Sequence, residues 1–286
     1  MQTQNQNRLQ TPKPLEDKWK KATLSNNFIF YKVMRDHIPA CQKLIEMLLN
    51  IKIKHIELHT EEVIEIDFDA KGIRLDVYVT DTGKLFDMEL QVANTRELPE
   101  RARYYAASMA VDSLKSGQEY KELSDSHVIF ICMEDIFMNG LPVYTFENIC
   151  LEDEETKLND RDYKHFFIAP TCAKLMKDEE IKSFFDFLVT GIPSSSFTKE
   201  LEGYVAEAKQ NHNYKRQFME WERQRAYDFA DGKQEGLKEG FQKGTMQKEI
   251  EAILGFASNN VSEEIIAKSL KMTLEDVHKI IVDNKK

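Results

Sequence analysis

Several things are scarce in this chain, and each scarcity excludes something. Only four cysteines occur in 286 residues. Cys41, Cys132, Cys150 and Cys172 are scattered without metal-ligand spacing. That excludes a zinc ribbon and a disulfide framework, and leaves free thiols acting as core filler in a reducing, cytoplasmic setting. No apolar run approaches the length of a membrane span. The polar opening MQTQNQNRLQTPKP lacks the features of a signal peptide. Positive charge is also short: 39 Lys and Arg stand against 49 Asp and Glu, a formal net charge of -10. This counts against strong, sequence-blind attraction to nucleic acid, though a local basic groove remains compatible with it. The acidic stretch 151–162 lacks the spacing and glycine of a calcium loop and reads as a solvated loop.

What is present is an ordinary globular composition, 42% hydrophobic and 31% charged. The length suits one sizeable α/β domain with an appendage, or two small domains. The most informative stretch is residues 72–92. Ile73, Leu75, Val77 and Val79 alternate with Arg74, Asp76, Tyr78 and Thr80, the period of a half-buried strand. Asp81-Thr82-Gly83 supplies turn chemistry, and the chain returns through Leu85, Phe86, Met88, Leu90 and Val92. Two acids interrupt the apolar pattern, Asp76 on the outward strand and Glu89 on the return. Gln91 shares a face with Glu89. In a hairpin the two acids can lie side by side, and two carboxylates with an amide can make a hard-metal site. The competing reading is acids on a solvated face, where Asp87 is expected.

Taken in order, residues 1–24 read as a loose basic arm carrying Arg8, Lys13, Lys18, Lys20 and Lys21, either a solvated tail or a phosphate contact. Residues 27–50 read as helical with a break near Asp36 to Pro39. Glu46 lies in the apolar run LIEMLL and can simply be exposed. Residues 51–68 suggest the first strand. Arg96 to Ser116 reads as a helix, with Arg101, Tyr104, Tyr105 and Ser108 offering cationic and hydroxyl groups. Beside a metal face Arg101 could clamp a phosphate; otherwise it is a solvated arginine over core tyrosines. Ser126 to Cys132 suggests a central strand buried on both faces. Further short strands are expected near Leu141 to Ile149 and His165 to Ala169, and a helix over 178–188. From about residue 196 the chain turns helical. Gly232, Gly236, Gly240 and Gly244 suggest a weak helix or hinge. Ser262 and Thr273 open two short helices in a small helix-turn-helix-like end, read more readily as an interaction element than as a DNA reader.

Gly72 to Val77, Met88-Glu89-Leu90-Gln91, Arg101, Tyr104-Tyr105, Gly117 and Tyr120 occur together in an order that resembles the Rpn family. These are recombination-promoting nucleases, also described as putative transposases, of the PD-(D/E)XK nuclease superfamily. The resemblance spans roughly residues 25–286. It implies a restriction-endonuclease-like α/β core over 25–195, with a four-stranded mixed sheet flanked by helices, plus an all-α extension over 196–286. It implies Mg²⁺-dependent cleavage of DNA phosphodiesters, with Mn²⁺ able to substitute. By position Asp76 and Glu89 match the metal-binding acids, joined by the Leu90 carbonyl and by Glu46 in the leading helix. Gln91 stands where lysine is usual, and Arg101 and Tyr105 match substrate-facing positions. The alternative is a catalytically silent nuclease-like scaffold that binds nucleic acid or a protein. The C-terminal helices also suggest homo-oligomerisation.

Overall fold

In the computed structural model, which describes residues 13–59, 63–64, 73–74 and 77–284, residues 84–91 and 125–132 pair in parallel at the centre of a mixed sheet. Three helices come first: α1 (Lys13–Lys21), α2 (Asn27–Asp36) and α3 (Ile38–Leu49). The strands β1 (Glu57–His59), β2 (Val63–Ile64), β3 (Ile73–Arg74), β4 (Tyr78–Asp81) and β5 (Lys84–Gln91) follow. After helix α4 (Leu98–Ser113) come β6 (Asp125–Cys132), β7 (Val143–Phe146) and β8 (Asp162–Ile168). Helices α5 (Ala169–Leu175), α6 (Glu179–Thr190), α7 (Ser196–Gln210), α8 (His212–Ser258), α9 (Glu263–Leu270) and α10 (Leu274–Asp283) complete the chain.

The main sheet has the order β1-β4-β5-β6-β8-β7, with β2 and β3 paired separately. Strands β5, β6 and β8 run parallel, and the remaining neighbours are antiparallel. Leu85 to Leu90 are all buried, as are Val128 to Cys132. Such uninterrupted burial is what a strand covered on both faces requires. One face is closed by α4, whose Leu98, Ala102, Ala106 and Met109 pack on Leu85, Val128, Phe130, Cys132 and Phe166. On the opposite face Phe167 stacks on Phe185 of α6, with ring centroids 5.9 Å apart. The turn from β4 to β5 uses Gly83 at φ +72, the left-handed conformation that glycine adopts without a Cβ clash.

The structure differs from the sequence expectations in three places and decides between two readings in a fourth. The sheet has six strands rather than four, because short β1 and β7 are added at its two edges. Residues 13–21 form a helix rather than a loose arm. Trp19 is buried, with its ring 5.1 Å from that of Phe218, and Glu16 accepts from Lys215 Nζ at 3.0 Å. Residues 1–12 lie outside the described part. Of the two readings of the glycine-bearing segment, a weak helix or a hinge, the structure has the helix, within the 47-residue α8. Asp87, expected in solvent, is fully buried. Its face of β5 is covered by α4, and its neighbour across the ladder, Tyr78, is buried too.

The chain divides into two units, one extending to Met219 and one beginning at Glu220. The division falls inside α8 rather than near residue 195, since α7 packs with α2 and α6. In the second unit Ile253, Ile266, Ala267, Val277 and Ile281 make a small core among α8, α9 and α10. Thr273 caps α10 by accepting from Asp276 N, as its sequence position predicts, while Ile265 is exposed.

On the sheet face opposite α4, His127 Nδ1 lies 3.2 Å from His165 Nε2, and His165 Nδ1 lies 3.2 Å from Thr145 Oγ1. Burial pushes both imidazoles from 6.5 down to about 4. The neutral pair therefore releases protons on folding between those values, so the unfolded chain gains as pH falls through this window. Stability should be constant above about pH 6.5 and fall from there to pH 4, by about 1.4 kcal/mol per pH unit for each histidine. Thermal melts across this range test it. A His127→Phe, His165→Phe double variant should flatten the curve, and an unchanged slope would refute the assignment.

Candidate active site

The site lies at the carboxyl ends of the parallel strands β5 and β6, where open α/β sheets gather ligands because the loops diverge there. Along β5, Asp87, Glu89 and Gln91 alternate with Phe86, Met88 and Leu90, so the three polar residues share the face under α4. The next element supplies the cation. Leu98, Ala102, Ala106 and Met109 fix the apolar stripe of α4 on the sheet, and this brings Arg101 and Tyr105, one helical turn apart, over the end of β5.

The Arg101 guanidinium ties these groups together. Its Nη2 donates to Glu89 Oε2 in an ion pair, and its Nη1 donates to Gln91 Oε1 at 2.9 Å. Nε and Nη2 also donate to the Tyr105 hydroxyl at 3.2 and 3.0 Å. The guanidinium carbon stands 5.3 Å from the Tyr105 ring centroid and 5.4 Å from that of Phe130. The Glu89 side chain is only 3% exposed, whereas Arg101 is 30% exposed. A carboxylate this buried stays ionised only with a partner, and a fork-shaped guanidinium is the partner best matched to it. Gln91 Nε2 donates to the Ala93 carbonyl, so both ends of its amide are engaged. Burial, with the Glu89 charge beside it, pushes the Tyr105 hydroxyl above its ordinary range, and it stays protonated at neutral pH.

Sequence reasoning thus singled out four residues that meet: Glu89, Gln91, Arg101 and Tyr105. It missed Asp87, which shares their face; the available signal was its position two residues before Glu89. Asp76 lies outside the described residues. Glu46 takes part in different contacts. Its carboxylate accepts from Ile53 N at 2.9 Å, Gln42 Nε2 at 3.2 Å and Lys52 Nζ at 3.2 Å, and these hold it below the usual carboxylate range. Those partners belong to α3 and the segment after it. The Leu90 carbonyl is oriented by the ladder. Gln91 O accepts from Met133 N on the β6 side, and Met88 N donates to Val77 O on the β4 side. Successive residues direct their backbone groups to opposite sides, so Leu90 O turns toward the β4 side. Cys132, at the end of β6, is not a nucleophile at neutral pH, since burial pushes its thiol up to about 12.

Among the described residues no three His, Cys, Asp or Glu side chains converge as a metal site. The donor chemistry nevertheless fits a hard divalent cation. Glu89 Oε2 and Gln91 Oε1 are both oxygens, and both already close on one positive group.

A parallel-centred mixed sheet with an acid, an amide and a guanidinium at its carboxyl edge is the framework of a nuclease-like α/β domain. A family model described as PD-(D/E)XK nuclease family transposase matches residues 36–192, more than half of the chain, and the chain belongs to that family. No curated protein and no solved structure matches it. No helix among the described residues is long and apolar enough to cross a membrane.

Removing the guanidinium should leave Glu89 as a buried charge without its principal cation. Arg101→Met should lower stability by about 1.5–3 kcal/mol in urea unfolding. Adding Glu89→Gln to it should recover much of that loss, because the buried charge goes with its partner. A double variant no more stable than Arg101→Met would contradict the pairing.

Proposed function

We propose that this protein is a divalent-metal-dependent DNA endonuclease that hydrolyses phosphodiester bonds in recombination or the movement of mobile elements. The observation that carries the reading is the convergence of Glu89, Gln91, Arg101 and Tyr105 at the carboxyl edge of β5 in a chain of the nuclease family. In this reading Asp76 and Glu89, with the Leu90 carbonyl, would hold Mg²⁺ or Mn²⁺. Glu46 is a further, more distant candidate ligand. When bound, the cation supplies Lewis-acid polarisation of the phosphoryl group.

The remaining work falls to the chain itself. Gln91 is neutral, so it neither adds a cation nor acts as a general base, but its amide can orient an attacking water. Arg101 supplies the positive charge that lysine would bring at position 91. Its fork of donors matches two phosphate oxygens and favours the charge that builds on them as phosphorus is attacked. Tyr105 keeps its proton and holds the guanidinium at the edge of the site. The domain is assigned to the nuclease reaction, and the helical end to interaction or self-association.

A second reading, a catalytically silent scaffold, has one observation in its favour: Arg101 already neutralises Glu89 from within the chain. Plasmid cleavage separates the two. Purified protein should nick supercoiled plasmid with Mg²⁺ or Mn²⁺ and not with EDTA. Asp76→Ala and Glu89→Ala should abolish nicking while leaving the circular dichroism spectrum intact. Arg101→Lys should slow it by about 10²–10³-fold, the cost of losing a positioned donor to developing charge. Wild-type-like nicking by either acid variant would falsify the site. No nicking by any folded sample would favour the scaffold.

A further inference from the structure

Glu89 Oε2 is one of the two oxygens that this carboxylate offers a divalent cation, and the Arg101 guanidinium holds it. The same guanidinium holds Gln91 Oε1. A second cation at this carboxylate is opposed by the guanidinium, because their repulsion is poorly screened where Glu89 is 3% exposed. Metal entry at Glu89 is therefore favoured by displacement of Arg101. The arginine has somewhere to go. It is the most exposed partner of the pair, at 30%, and it is tethered to the Tyr105 hydroxyl by contacts that do not involve Glu89. The Tyr105 and Phe130 rings offer faces over which the planar group can turn. A phosphodiester presents two oxygens in the geometry that a guanidinium prefers.

Resting on the nuclease reading above, we propose that Arg101 is an internal counter-cation that keeps the Glu89 site closed to divalent metal until a nucleic-acid phosphate draws it away. Metal and nucleic acid then bind cooperatively. Each relieves the other of the cost of moving the same side chain, and the coupling is reciprocal. Arg101 is in this role a positioning residue, and a role confined to fold stability predicts no such coupling. The device also suits an acidic protein. An open carboxylate site would collect free divalent ions in the absence of substrate, whereas a guanidinium-closed one discriminates against them.

Calorimetric titration of the full-length chain with Mn²⁺ tests this, with and without a phosphorothioate DNA oligonucleotide that resists cleavage. Glu89→Gln marks which binding event belongs to the site. Wild type should bind Mn²⁺ weakly at Glu89 and about tenfold more tightly with the oligonucleotide. Arg101→Met should bind Mn²⁺ without oligonucleotide about as tightly as wild type does with it, and should respond little to DNA. If Arg101→Met does not fold, Arg101→Lys carries the test. Its single ammonium holds two oxygens less completely, so its Mn²⁺ affinity should lie between the two. Glu89-dependent Mn²⁺ binding that is no tighter in either Arg101 variant overturns the closure and leaves the nuclease reading standing. Absence of Glu89-dependent binding in wild type and variants alike, with or without DNA, overturns the metal site and the closure with it.

Discussion

The organising constraint is a carboxylate that must remain charged where water hardly reaches. Glu89 sits on an inner strand, under a helix, at 3% side-chain exposure. Desolvating an isolated carboxylate to that extent would cost several kcal/mol, so the fold has to bring a cation to it. It does so through α4. The apolar stripe of that helix fixes both the height and the rotation at which it crosses the sheet, and Arg101 reaches the edge of β5 only at that setting. The same setting seats Tyr105 beside Arg101 and the two rings beneath the guanidinium. Packing of α4 and chemistry at β5 are thus one problem with one solution.

Much of this was legible in the sequence. The alternation of Glu89 and Gln91 with Met88 and Leu90 identifies a polar face on an apolar strand. The Arg101–Tyr105 spacing identifies a shared helix face. The almost continuous apolar run at 126–132 identifies a strand covered on both sides, and β6 is that strand. The burial of Asp87 was not legible, although its place on the Glu89 face was, because an acid on a covered face of β5 looks the same in sequence as an acid facing solvent. Only the covering helix distinguishes them. The same holds for the His127–His165 pair: two histidines 38 residues apart become neighbours through parallel pairing that no local pattern announces.

Short elements were the other source of difference. Strands of three and four residues, such as β1 and β7, carry too few alternations for the sequence to fix their bounds within 51–68 and 141–149, and they complete the sheet at its edges. Charged segments mislead in the opposite direction. The lysines of α1 suggest a solvated tail, but one tryptophan among them is enough to anchor a helix. The glycines of α8 suggest a weak helix or a hinge, and helix-forming Lys, Glu and Gln around them sustain the helix through four weak positions.

The anchoring of α1 has a consequence for how the chain is made. Glu16 and Lys215, which pair in the folded protein, are 199 residues apart, and Trp19 finds Phe218 across a similar stretch. Synthesis runs from the amino end, so α1 leaves the ribosome without the Phe218 cover on its indole and waits for about seven-tenths of the chain. The sheet and α4 can assemble in the meantime, because all their strands lie before Ala169. The contact of α1 with Phe218 therefore cannot form before residue 218 is made. A nascent chain stopped where the family match stops, at residue 192, would still present Trp19 without its Phe218 cover.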